Sequence, residues 1–273
     1  MRIIVNADDF GYSADSVRAT IDGIERGVIT SATIMPNLDA TTEALNYARG
    51  ASGISFGVHL NLLGDWAARP IASAGELRNL VSSDGSFLPA NTVRLRALVG
   101  RLPVAEVERE ISAQIEFVAA SDVSISHVDS HRHLHKYPNV RLALDRVLPR
   151  YGISRVRTVQ DVYMRRPLLS PTVWLGRHWK RELARHFQTT DHFYMPTTTG
   201  DRDWDGSLMG ALADLGGETL EVGVHPGYEE DWRSSELRAA TRFSKAATSA
   251  GHELVGWGSL NGEPTHTEIR PTR

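Results

Sequence analysis

Four of the chain's eleven histidines fall within nine residues, in the run His127-Val128-Asp129-Ser130-His131-Arg132-His133-Leu134-His135. The spacing is strictly two, with Asp129 filling the gap between His127 and His131. A strand turns alternate side chains to one face, so His127, Asp129, His131 and His133 would look the same way for as far as a strand ran. Imidazole is the commonest protein ligand for a divalent metal, and a nearby carboxylate suits the same borderline ions. The plain alternative is a surface histidine run, or a tag, that binds metal adventitiously. Against it, Val123 and Ile125 lead into the run and Tyr137-Pro138 closes it, which places it where a strand ends.

Three further stretches put polar groups at the ends of apolar runs. Asp8-Asp9 follows Ile3-Ile4-Val5 and precedes Gly11. Adjacent acids point to opposite sides of an ideal strand, but a turn at Gly11 can bring both to one cavity; a helix N-cap pair is the competing reading. His59 sits inside the apolar Gly57-Val58-His59-Leu60, where a lone histidine is more often a satisfied core group than a ligand. His225-Pro226-Gly227 ends the run Leu220-Glu221-Val222-Gly223-Val224 and could equally be a plain turn. Each signal is modest alone. Their shared place at the carboxyl ends of strands is what joins them.

The elements that must position these residues alternate. Strand-like runs at Arg2–Asn6, 29–35, Ile54–Leu60, Val123–Asp129, Arg155–Val159, Thr219–His225 and Leu254–Trp257 are separated by stretches with apolar residues at helical spacing, such as Val107, Ile111, Ile115 and Val118. Helices are also expected around Trp174–Phe187, Ser207–Leu215 and Ser235–Ala250, with an extended stretch at Thr190–Met195. Residues Gly64 to Pro103 are less regular and contain the turn signal Asp84-Gly85; a break of that length is often a functional insertion. Alternation argues for a mostly parallel sheet. About seven strand–helix units predict an irregular (β/α) barrel with inserted loops, whose active site lies at the carboxyl ends of the strands. A doubly wound open sheet is the second choice.

Composition narrows the class. The chain has 273 residues, enough for one barrel domain spanning 1–273, and no cysteine, which removes disulfides, thiolate metal sites and cysteine nucleophiles together. A net charge of -3 gives no electrostatic case for nucleic acid or an anionic membrane. No apolar run approaches the ~20 residues of a membrane span, and Met1-Arg2-Ile3-Ile4-Val5 lacks the form of a signal peptide. A soluble, cytoplasmic protein is expected.

The blocks Asn6-Ala7-Asp8-Asp9-Phe10-Gly11, Thr30-Ser31-Ala32-Thr33, Gly57-Val58-His59-Leu60-Asn61-Leu62, His127 to His135 and His225-Pro226-Gly227-Tyr228 resemble, in order, those of the YdjC-like carbohydrate deacetylases, the family of the chito-oligosaccharide deacetylases. The resemblance spans nearly the whole chain. It implies an irregular α/β barrel and metal-dependent removal of the N-acetyl group from an amino sugar or oligosaccharide. By matching positions it implies a metal triad of Asp9, His59 and His131, Asp8 as catalytic base and His225 as acid. It implies magnesium, whereas two imidazoles and a carboxylate suit zinc on ligand softness. It also implies an N-acetylated sugar as partner, and a homodimer. Asp129 and His127 would orient the ligands, while His133 and His135 need no ligand role. Tyr12 stands where the family often has leucine, and Thr190 to Met195 matches a family stretch loosely. Two other classes use similar residues. A metal-dependent phosphoesterase would want a second metal and basic clamps, for which Arg132 and Lys136 are candidates. A non-catalytic carbohydrate-binding protein would be expected to have lost a ligand or the base. Trp66, Phe87, Trp174, Trp179, Phe193 and Tyr194 could stack on sugar rings or belong to the core.

Overall fold

The computed structural model describes residues 1–164, 171–196 and 203–260. Its strands and helices are β1 (Arg2–Phe10), α1 (Ala14–Glu25), β2 (Ser31–Ile34), α2 (Thr41–Gly50), β3 (Ser55–Leu60), α3 (Ala90–Leu98), α4 (Val104–Ala119), β4 (Ile125–Ser130), α5 (Pro138–Val147), α6 (Pro171–His186), β5 (His192–Tyr194), α7 (Trp204–Leu212), β6 (Thr219–Val224), α8 (Asp231–Ser249) and β7 (Glu253–Leu254). The strands form one sheet in the order β4-β3-β2-β1-β6-β5, with β7 beside β1, and every strand pair is parallel. The sheet curls into a barrel-like α/β fold, as the alternation predicts.

The curl is completed by single pairings rather than a full ladder. Beyond β4, the Val128 N–H donates to the Arg155 carbonyl and the Arg157 N–H to that of Val128. The Gln188 N–H donates to Ser154, and the Val156 N–H to Gln188. A few residues later the same segment enters β5, which pairs with β6 at the other edge. The strand expected over Arg155–Val159 is therefore present only as isolated bridges at Arg155 and Val156.

Alternation along the strands sorts the side chains. Ile3, Val5 and Ala7 of β1, Phe56, Val58 and Leu60 of β3, and Leu220, Val222 and Val224 of β6 are buried in the main apolar core. That is the pattern of parallel strands covered by helices. The intervening positions, Asn6, Asp8, Thr33, His59, His127, Asp129 and Glu221, are buried as well, and they are polar. The lumen is thus a polar interior enclosed by an apolar wall. Its amino-terminal end is closed by a small separate cluster of Ile4, Val255, Trp257 and Leu260. Trp257 was expected in the last strand; that strand stops at Leu254, and Trp257 opens a 3₁₀ turn that plugs the lumen.

Local signals fix the helix ends that feed the site. Ser13 and Ser16 form a reciprocal capping box at the start of α1, which leaves Asp8 and Asp9 free of any capping duty. Pro138 occupies the first turn of α5, where its missing N–H has no partner to lose. Gly57 has a steric reason: a Cβ there would lie 2.5 Å from the His127 ring and 2.7 Å from its carbonyl oxygen.

Candidate metal centre and active site

Asp9 is brought inward by a backbone irregularity. The register of β1 against β2 shifts between Ala7 and Phe10, and Asp9 has φ 58°, a left-handed conformation uncommon outside glycine. The bulge turns Asp9 onto the same side as Asp8. Gly11, at φ 104°, only redirects the chain afterwards. β3 delivers His59 directly. β4 ends at Ser130, one residue past the expected end, so the shared face does not extend to His131 and His133. His131 is placed by the following 3₁₀ turn, within which Arg132 and His133 are left-handed.

The outcome is a convergence of three donors. Asp9 Oδ1 lies 3.4 Å from His59 Nε2 and 3.4 Å from His131 Nδ1. It is buried, and among the described residues no donor hydrogen-bonds to that atom. Three ligand atoms aimed at a common point, one of them a buried oxygen without a donor, fit a divalent cation held by two imidazoles and a carboxylate. Each imidazole is oriented from behind. His59 Nδ1 donates to Asp129 Oδ1 at 2.7 Å, and His131 Nε2 to Asp65 Oδ2 at 3.0 Å. These carboxylate–histidine pairs fix which ring nitrogen faces the centre.

The electrostatics follow from these contacts. Burial opposes charge on His59, but Asp129, Asp9 and Asp8 outweigh it and raise the imidazole to about 10. Burial likewise opposes ionisation of Asp9, and His131 with His59 reverses this, holding it well below the usual carboxylate range. Hydrogen bonds from His131 and Arg132 bring Asp65 down to about 2.

Asp8 has a different partner. Arg157 Nη1 meets Asp8 Oδ2 at 2.6 Å and Nη2 meets Oδ1 at 2.7 Å, a bidentate fork. Asn6 Nδ2 adds a bond of 2.9 Å to Oδ1. Burial alone would push Asp8 up; Arg157 overrides it and keeps the acid ionised. Arg157 Nη1 also reaches Asp129 Oδ2 at 2.6 Å. Asp8, His59 and Asp129 form a second cluster of ligand-type atoms, but this guanidinium already engages both of its carboxylates.

His225 follows β6 directly. Its backbone N–H and Nδ1 both face Glu236 Oε2, at 2.8 and 3.2 Å. Burial lowers an imidazole, but Glu236, Asp9 and Asp8 prevail and raise His225 above its ordinary value. Asp15 anchors the turn after it by accepting from the backbone N–H groups of Tyr228 and Glu229. Arg233 of α8 donates to Asp9 Oδ2 at 3.1 Å and lies between the rings of Tyr12 and Trp232. Trp66 packs on Tyr12 at 4.4 Å and on His131 at 4.8 Å while staying 43% exposed. An aromatic wall therefore stands beside the metal centre, and Tyr12 belongs to it.

The other expected residues are placed otherwise. His127 orients no ligand: its Nδ1 meets Ser126 Oγ, and its ring stacks on Trp257. His135 is buried on Ser130. His133 packs edge-on to Phe193. Phe87, Trp179, Phe193 and Tyr194 are core, and Trp174 is 80% exposed. The sequence reading missed Arg157, Asp65, Arg233, Glu221 and Glu236. Arg157 and Glu221 do leave a signal, a charged residue at an inward position of an apolar run. Asp65 has none, since it lies in the irregular segment.

A model of the family described as YdjC-like protein matches residues 2–254. A carbohydrate deacetylase of Geobacillus stearothermophilus is 33% identical over 228 residues, covering 82% of this chain and 79% of its own length. One from Clostridium beijerinckii is 26% identical, covering 93% and 94%. Among solved structures, a candidate cellobiose-phosphate cleavage protein from Enterococcus faecalis superposes with a TM-score of 0.78 at 24% identity, over 95% of this chain and 98% of that one, which establishes the shared fold. With the match spanning every strand of the sheet and all the residues converging above, the chain belongs to the YdjC-like protein family.

Proposed function

We propose that this chain, as a single barrel domain, is a metal-dependent carbohydrate deacetylase that hydrolyses the N-acetyl group of an amino sugar or oligosaccharide and releases acetate. The observation that supports it most is the joint placement of a three-donor centre (Asp9, His59, His131) and an arginine-held carboxylate (Asp8) on one rim, with a glutamate-backed histidine (His225) nearby. The curated relatives named carbohydrate deacetylase point the same way.

When bound at Asp9, His59 and His131, a divalent ion supplies Lewis acidity toward the acetyl carbonyl and a lowered pKa for water. Asp8, held ionised and squared by Arg157, accepts the proton of the attacking water. His225, kept protonated by Glu236, donates to the amide nitrogen, because an unprotonated amide anion is not a leaving group. Trp66 and Tyr12 offer a face on which a pyranose ring can stack beside the centre. The family resemblance favours magnesium. The donor set favours zinc on ligand softness.

The phosphoesterase reading has less to stand on. Arg132 is paired with Asp65, and Lys136 lies over the rings of Tyr137 and Trp179, so neither is presented as a phosphate clamp. The decisive experiment is acetate release from a panel of N-acetylated sugars, with and without chelator, followed by reconstitution with zinc or magnesium. No acetate from any of them with either metal would refute the reading.

A further inference from the structure

Arg157 is wholly buried and has five N–H groups to satisfy. Two go to Asp8, one from each Nη, and Nη1 also forms an ion pair with Asp129 Oδ2 at 2.6 Å. Two more, on Nε and Nη2, both go to Glu221 Oε1, at 2.9 and 2.7 Å. Every nitrogen of the fork is therefore engaged, and Glu221 owns the edge that Asp8 does not. Glu221 is itself fully buried, halfway along β6 and below the rim, and faces no ligand of the metal centre. Trp257 Nε1 approaches the same Oε1 at 3.3 Å, so the plug of the lumen closes over this pair. Glu221 Oε2 is buried without a hydrogen-bond partner among the described residues. A carboxylate kept in such a place is costly for stability, and burial raises it to about 7 despite Arg157. Something other than packing has to account for it.

We propose that Glu221 is a positioning residue for the deacetylation: by engaging the Nε edge of Arg157 it leaves the guanidinium a single seat, with its other end squared on Asp8. A guanidinium on a flexible stem can rotate about its last bonds. Asp8 and Asp129 occupy only the far end of the fork, and Phe193 supports one face at 4.7 Å without fixing rotation in the plane. Glu221 on β6, Asp8 on β1 and Asp129 on β4 approach from three directions, which determines the plane and the in-plane angle together. Misplacing a reacting group by an ångström is enough to reduce turnover on the order of 10²-fold. The proposal rests on the deacetylase reading, in which Asp8 is the base.

The test compares Glu221→Ala and Glu221→Gln in the intact, metal-loaded enzyme, alone and combined with Asp8→Asn. The glutamine amide oxygen still accepts from Nε and Nη2. Expected are a kcat for Glu221→Ala lower on the order of 10²-fold with KM unchanged, and recovery of most of it in Glu221→Gln. In the Asp8→Asn background, Glu221→Ala should cost nothing further, because the residue acts through Asp8. An equal loss in both backgrounds, or a KM effect alone, would overturn the proposal. Should Glu221→Ala fail to fold, Glu221→Gln decides through crystal geometry and kcat: retained turnover with the Asp8 fork intact supports it, and retained turnover with the fork displaced overturns it. If the wild-type chain releases no acetate, the deacetylase reading fails by itself. Crystal structures of the variants then still score the positioning role, since Arg157 unmoved on Asp8 in Glu221→Ala would refute it.

Discussion

Replacing Arg157 with methionine gives a calculable consequence. Asp8, Asp129 and Glu221 would remain buried around an apolar side chain, having lost four hydrogen bonds and the Asp129 ion pair from the guanidinium. Removing one partner of a buried ion pair typically costs about 3–5 kcal/mol, because the other is left uncompensated. For a chain of this length that is a fall of roughly 10 °C in melting temperature. The sign with pH follows from linkage. In the wild type, burial is the largest influence on Asp8 and raises it, but Arg157 produces a net depression. Its stabilising share is therefore present above the unfolded value near 3.9 and lost only as pH falls through the lower folded value. Without Arg157, burial, the largest influence on both Asp8 and Glu221, raises these two carboxyls above their unfolded values. The variant then loses stability as pH rises from about 4, and the gap between the two proteins should widen from pH 5 to pH 8. Thermal and urea melts of both proteins in chelator, across that range, measure it. A gap that is constant with pH, or below about 1 kcal/mol at pH 8, would refute the reasoning. Arg157→Lys, which keeps the charge but not the planar fork, should fall between.

Metal analysis should find His59→Ala and His131→Ala folded but without stoichiometric metal, and His133→Ala still loaded; full occupancy in the first two would remove the triad assignment. Asp8→Asn should lower kcat by a factor on the order of 10² to 10⁴ with metal retained, whereas Asp9→Asn should lose metal; reversed phenotypes would exchange the two roles. Since His225 is raised above its ordinary value, turnover should decline on the alkaline side of that value. His225→Ala should abolish this limb and Glu236→Gln should move it to lower pH, while an activated ester should be nearly indifferent to His225→Ala. Because apo His59 titrates at about 10, metal uptake at pH 8 should release about one proton, seen as a calorimetric heat that varies with buffer ionisation enthalpy; a buffer-independent heat would contradict it.

Much of the fold was legible because parallel strands buried on both faces leave apolar runs, and helices leave a 3.6-residue stripe. The metal donors were legible for a different reason: acids and imidazoles at the ends of apolar runs are rare unless used. What hid the rest was backbone detail. Two adjacent aspartates can share a cavity only if the strand breaks its alternation, and the left-handed Asp9 that breaks it follows from no propensity. How far the histidine run keeps one face depends on where β4 stops, and its end at Ser130 lies one residue past the expected Asp129. Arg157 and Glu221 stand in apolar stretches as inward charges, yet their pairing joins residues 64 positions apart, which pattern alone cannot reveal. Asp65 and Trp66 come from the irregular segment, which supplies site residues without any period to mark them.

The seam of the barrel bears on how the protein avoids sticking to itself. An open parallel sheet ends in two rows of unpaired N–H and C=O groups, each a template for another chain. Here the stretch after β4 and the segment from Gln188 to Tyr194 spend those groups on each other and on β6, since Asp161 and Val162 also donate to the Phe193 carbonyl. What remains of the edge is only three residues long in β5, too short to seed a cross-strand stack. The junction that closes the lumen over its buried charges thereby also protects the fold against edge-to-edge aggregation.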